Sequence, residues 1–191
     1  MTIAPATATE TKYRPVTRRT LKDLERFSAC HGKFRYCSCM RWRLRAVDYR
    51  RSSKDDRVAK LSELVEDNAP VGVLAYRGGE PVGWCAVAPR AHYAALERYG
   101  ALPRVDDEPV WSVVCFFIDA ACRRQGLMLG LLSAAVAYAG SLGARIVEGY
   151  PVEPGPQLYT FMGAPETFRR AGFRDVTPDG APRMIMRRAI R

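Results

Sequence analysis

Between Val110 and Phe173 the spacing of apolar residues switches from continuous to helical and back, and each switch marks an element. Val110-Trp-Ser-Val-Val-Cys-Phe-Phe-Ile118 is a nearly unbroken apolar and β-branched run, the pattern of a buried strand. After Arg123-Arg-Gln-Gly126, residues Leu127, Leu131, Ala134, Tyr138 and Leu142 recur at helical spacing, and Gly143 predicts the helix end. Arg145-Ile-Val-Glu-Gly-Tyr-Pro-Val152 predicts a second strand. A strand-helix-strand of this length calls for parallel strands and a right-handed crossover.

The rest of the chain reads in shorter units. Thr20–Phe27 predicts a short amphipathic helix, with Thr17 or Thr20 as its cap, and Lys54–Glu66 a second helix through Val58, Leu61, Leu64 and Val65. Val71–Tyr76 and Pro81–Ala88 pair as strands about a Gly78-Gly-Glu80 turn. Cys30–Arg45 reads as irregular, Ala91–Tyr99 as a short helix and 100–109 as a polar loop. Phe173–Val176 and Arg183–Arg188 predict a terminal hairpin around Pro178-Asp-Gly180.

Two arginines and a glycine at a helix start bring unpaired backbone N–H groups and the positive end of the helix dipole to one place, which suits a phosphate. In this setting the residues resemble the GNAT N-acetyltransferase superfamily. Its hallmark Arg/Gln-x-x-Gly-x-Gly/Ala is met at Arg123 and Gly126, with Met128 where the final Gly/Ala would stand. Pro165-Glu-Thr-Phe-Arg-Arg-Ala-Gly172-Phe173 resembles the family's helix ending in Gly-Phe. Tyr13-Arg-Pro-Val-Thr and Gly83-Trp-Cys-Ala-Val-Ala88 resemble its first and third strands. The resemblance implies an α/β GNAT fold: a mixed central sheet flanked by helices, with parallel fourth and fifth strands splayed around acetyl-CoA. It implies one domain over residues 13–191 after a flexible tail at 1–12. It also implies acetyl-CoA as co-substrate, its pyrophosphate on the turn Arg123, Arg124, Gln125, Gly126, Leu127 and Met128. Phe116, Phe117 and Ile118 would offer a strand edge to the pantetheine arm.

Length fits a single domain with a core of its own: the chain has 191 residues. No membrane span or signal peptide is recognisable, and six cysteines without a secretory signal read as reduced thiols of a cytoplasmic protein. Charge is uneven. Residues 1–60 carry 16 Lys/Arg against 6 Asp/Glu, the whole of the +10 excess, concentrated in Lys33–Arg57. This is either a solvated basic face or an attractor for an anionic acceptor or partner. Nucleic acid is compatible with the charge, but no binding motif supports it. A homodimer is compatible with the sequence too. Cys30-His31 and Cys37-Ser-Cys39 are poor matches to zinc spacing, so no metal is expected; thiols that pack beneath the first helix connection or line the acceptor pocket are the simpler reading.

The resemblance implies acetyl transfer to an amine of a small molecule, peptide or protein by direct attack in a ternary complex. Two alternatives are a non-catalytic acyl-CoA-binding module and an acetyltransferase acting on a nucleic-acid-linked amine. An alkyl amine is mostly protonated at neutral pH and must lose a proton to attack. Glu148, half-buried on the second strand, and Glu108, just before the central strand, are the candidate bases. Family members often use a Tyr as acid four residues before the Gly of the Gly-Phe corner; here that residue is Phe168, leaving Tyr150 or Tyr159 as substitutes. Asp119 reads as a turn residue.

Overall fold

In the computed structural model, residues 10–153, 155 and 160–190 are described. Alternating apolar positions build a seven-stranded mixed sheet. Its strands are β1 (Lys12–Pro15), β2 (Gly72–Arg77), β3 (Glu80–Pro89), β4 (Trp111–Ile118), β5 (Ile146–Gly149), β6 (Arg174–Asp175) and β7 (Met186–Ala189). The order is β1-β2-β3-β4-β5-β7-β6, and among the described strands only β4 and β5 run parallel. The helices are α1 (Leu21–Cys30), α2 (Gly32–Cys37), α3 (Met40–Arg43), α4 (Ala46–Arg51), α5 (Lys54–Glu66), α6 (Leu127–Ser141) and α7 (Pro165–Arg170).

Period-two alternation sorts the strand residues onto two cores, one on each face of the sheet. Leu74, Tyr76, Trp84, Ala86 and Ala88 join Leu24, Phe27, Phe34, Trp42 and Leu61 from the N-terminal helices. Val73, Ala75, Cys85, Val87 and Val113 meet Leu131, Leu132, Ala135 and Phe168 of α6 and α7. The alternation breaks once on β4. Ala86 pairs with Cys115 but Val87 with Val113, so Val114 is a bulged residue. Val114 and Cys115 consequently both face the N-terminal helices, while Val113 and Phe116 face α6 and α7.

Several expected elements take another form. The expected irregular stretch Cys30–Arg45 contains α2 and α3, joined by left-handed Ser38 and Cys39. The expected helix over Ala91–Tyr99 shrinks to a 3-10 turn at Arg90–His92. There the Ala95 N–H is drawn away to the carbonyl of Trp42 (2.9 Å), which removes it from any helical ladder. The buried stripe of α6 is Leu127, Leu131, Leu132, Ala135 and Ala139, and Leu142 is half exposed. Ala134 and Tyr138 of the predicted stripe are half-buried at its margin, and a mean spacing above 3.6 carries the stripe off the buried face by Leu142. Residues 1–9 of the expected tail lie outside the described residues. The tail stops short of 12: Lys12 pairs with Tyr76 in the sheet, and Thr11 accepts a hydrogen bond from Arg77 Nε (3.0 Å).

Candidate functional site

β4 and β5 pair only through Trp111–Val147, Ser112–Glu148 and Val113–Gly149. β5 then ends, while β4 continues through Val114, Cys115, Phe116, Phe117 and Ile118 bonded to β3 alone. Among the described residues one edge of β4 therefore has no strand partner over the stretch that contains the predicted pantetheine contacts. Phe116 is buried towards α7, 6.2 Å from Phe168. Phe117 faces the other way, within 6 Å of Phe27, His31 and Phe34.

Beyond Ile118 the chain turns into α6. Asp119 is the turn residue the sequence predicts, since its Oδ1 accepts the Ala121 N–H at 2.8 Å. Its Oδ2 also accepts from His31 Nε2 at 3.0 Å, and His31 Nδ1 bonds the Phe27 carbonyl at 2.8 Å. The bond from His31, then that from Ala121, holds the Asp119 carboxyl below the usual aspartate range. The pair ties the end of α1 to the end of β4. Arg124 (φ 61°) and Gly126 (φ 78°) are both left-handed and Gly126 caps α6. A Cβ at Gly126 would meet nothing within 4 Å, so it is the backbone conformation that asks for glycine there. Residues 123–126 are exposed, Leu127 is buried and Met128 is half-buried against the core under α6. The first N–H groups of a helix have no partner within it, so the turn presents donors and positive charge to solvent. Arg123 Nε donates to the Ile118 carbonyl (3.1 Å), and Gln125 donates to the Ala121 carbonyl (3.0 Å) and accepts from Arg77.

A buried polar group lies where the two strands part. Glu148 is 0% exposed, which corrects the half-burial expected of it. Its Oε1 accepts from Arg90 Nη1 (2.6 Å) and from the Tyr150 hydroxyl (2.6 Å), and its Oε2 from Arg187 Nε (2.7 Å). Tyr150 is equally buried; its oxygen also meets Ser112 Oγ at 2.7 Å and Arg90 Nη1 at 3.0 Å. Burial, and then the Glu148 charge, push the Tyr150 phenol well above its ordinary value, so it keeps its proton. Arg187 extends the group to Asp106 (2.6 Å). Glu148 and Tyr150 are thus brought together. Glu108 stands apart, exposed, on an open cavity of about 230 Å³ that Arg90, Arg104 and Arg187 also line. Tyr159 lies outside the described residues.

Arg90, Arg187, Ser112 and His31 were not legible as site residues. Their partners are 58, 39, 38 and 88 residues away in sequence, and no local pattern marks them. Part of the basic cluster has structural partners. Arg43 is buried against Tyr93 and donates to the Pro70 carbonyl. Arg57 is buried and donates to the Ser52 carbonyl, and Arg45 pairs with Asp48. Arg50 and Arg51 are exposed. Among the described residues no group of three or more His, Cys, Asp or Glu side chains could hold a metal ion, and no helix is long and apolar enough to cross a membrane.

A mixed sheet whose one parallel pair splays apart above a glycine-capped helix defines an α/β transferase class of the acetyltransferase kind. The chain belongs to the acetyltransferase (GNAT) family, whose pattern matches residues 37–155. No curated protein matches the chain at a significant level. Solved structures are similar in fold across nearly the whole chain. The aminoglycoside N-acetyltransferase AAC(6')-Iy in complex with CoA is 14% identical, over 92% of this chain and 95% of that one, with a TM-score of 0.57. An N-acetyltransferase from Staphylococcus aureus Mu50 is 12% identical, over 95% and 99%, at 0.54. The PaiA N-acetyltransferase from Thermoplasma acidophilum in complex with coenzyme A is 12% identical, over 95% and 99%, at 0.52. At such identities the likeness is one of fold.

Proposed function

We propose that this protein is an acetyl-CoA-dependent N-acetyltransferase in which an amine attacks the thioester directly in a ternary complex. The observation that carries the reading is the stretch Val114–Ile118, a strand edge left unpaired by β5 and leading straight into the glycine-capped turn. In this reading the backbone N–H groups from Arg124 to Met128 receive the pyrophosphate. The edge at Phe116, Phe117 and Ile118 pairs with the pantetheine amides. That two fold relatives were solved with coenzyme A supports the cofactor.

Glu148 and Tyr150 take a positioning part. Both oxygens of Glu148 are already engaged by arginines and the phenol, and neither residue reaches solvent. They fix β5 to β3 and β7 at the point where it leaves β4, and so set the width of the cleft. Glu108 lies before β4 on the open cavity lined by Arg90, Arg104 and Arg187, with no bond to Glu148 or Tyr150 among those described. In this reading the amine proton leaves through water, with Glu108 the alternative acceptor. Phe168, 0% exposed, cannot donate a proton, which favours a second reading as an acyl-CoA-binding module.

Calorimetry with acetyl-CoA, followed by mass spectrometry of a panel of amines incubated with protein and acetyl-CoA, tests both. Binding with an amine gaining an acetyl group supports the enzyme. Binding with no acetylated amine across small-molecule, peptide and aminoacyl-tRNA acceptors supports the module. Absence of binding removes both.

A further inference from the structure

The end of β2 reaches the phosphate-suited turn from outside it. Arg77, the last residue of β2, is half-buried between two neutral oxygens: its Nε donates to Thr11 Oγ1 (3.0 Å) and its Nη1 donates to Gln125 Oε1. The other end of the Gln125 amide donates to the Ala121 carbonyl at 3.0 Å, so this side chain is held at both ends and braces the turn. Arg123 Nε is fixed in turn on the Ile118 carbonyl (3.1 Å). Between these two braced residues lies Arg124, left-handed at φ 61° although it carries a Cβ. Such a residue persists only where its surroundings over-determine it, and its kind collects at ligand clamps. The sheet edge that carries Arg77 is itself seated on α6, since Tyr13 of β1 lies against Gly130, where an added Cβ would run into the hydroxyl.

We propose that Arg77 is a positioning residue for the phosphate site: through Gln125 it holds the turn from Arg123 to Gly126 in the shape that presents its N–H groups. The inference rests on the acetyl-CoA reading of that turn. Donors that are already in place need no reordering when an anion arrives, so a brace outside the site raises affinity without touching the ligand. Arginine suits the post because its planar fork addresses Thr11 and Gln125 at once, which the compact ammonium of a lysine does not. The guanidinium also keeps its charge uncancelled by either partner, and so adds to the positive field of Arg123, Arg124 and the start of α6. Brace and charge are separable, because only the charge is screened by salt.

The test is acetyl-CoA calorimetry on the full-length protein at low and high salt, for wild type, Arg77→Met, Arg77→Lys, Gln125→Leu and the Arg77→Met/Gln125→Leu double variant, each first shown to be folded by circular dichroism. Arg77→Met should weaken binding about three- to tenfold at both ionic strengths and flatten its salt dependence. Gln125→Leu should weaken binding by a similar factor with the salt dependence kept, and the double variant should lose little more than Arg77→Met, since the two residues act as one brace. Arg77→Lys should restore the salt dependence and only part of the affinity. Folded Arg77→Met that binds as well as a binding-competent wild type overturns the inference and leaves the cofactor reading standing. Losses that multiply in the double variant, or full rescue by lysine, also overturn the brace. Wild type that binds no acetyl-CoA overturns both the inference and the reading. If Arg77→Met fails to fold, the exposed Gln125→Leu decides, and unchanged affinity there overturns the proposal.

Discussion

The Phe168 ring lies over the bare Cα of Gly149, where an added Cβ would stand 2.1 Å from the ring edge. The same ring packs edge-on to Phe116 at 6.2 Å and to Phe173 at 5.0 Å. One phenylalanine thus joins the last residue of β5, the unpaired edge of β4 and the Gly-Phe corner. Gly149→Ala should force that ring aside and cost about 1–3 kcal/mol. Chemical denaturation of Gly149→Ala, Phe168→Leu and the double variant should give a non-additive cycle in which the smaller leucine side chain relieves the alanine. Additive losses would mean the two residues are not coupled.

At Gly126 the environment is open, and the left-handed backbone makes valine unfavourable. Gly126→Val should weaken acetyl-CoA binding by at least about tenfold, roughly 1.4 kcal/mol. Met128→Ala should keep its affinity, because the Met128 side chain packs towards the core under α6 while its N–H points from the helix start. Calorimetry on the two variants checks both statements.

Glu148→Gln leaves Arg90 and Arg187 buried against a neutral amide and should cost about 3–5 kcal/mol. A positioning role further requires kcat to fall in Glu148→Gln and Tyr150→Phe while the acidic limb of the pH–rate profile remains. Loss of that limb in Glu148→Gln would make Glu148 the base after all. Loss of the limb in Glu108→Gln would transfer the role there.

The His31–Asp119 contact carries its own pH signature. Because Asp119 is held below the usual range when folded, its contribution is complete above about pH 4 and disappears as pH falls through that lower value. Asp119→Asn should flatten the acid side of the stability profile in that window.

Arg50 and Arg51 are exposed members of the basic cluster at Lys33–Arg57. If they draw an anionic acceptor, reversing both to glutamate should slow its association and weaken the salt dependence of that rate, with acetyl-CoA affinity unchanged. Equal use of a neutral acceptor at low and high ionic strength would assign them to solvation.

Much of the architecture was written locally. The run Val110–Ile118, the helix opened by Gly126 and the helix Lys54–Glu66 each follow from spacing and end signals within a few residues, and all three stand in the fold. Backbone preference and periodicity act over such distances, so sequence alone carries them. What joins distant residues was decided only by the tertiary structure. The bulge at Val114 depends on register with β3. The shortening of β5 to Ile146–Gly149 depends on where pairing with β4 stops. Full burial of Glu148 depends on arginines brought from β3's end and β7, since a carboxylate enters a core only when cations accompany it. The sequence determined that a strand, a phosphate-suited turn and a helix follow one another; packing determined which side chains meet beside them.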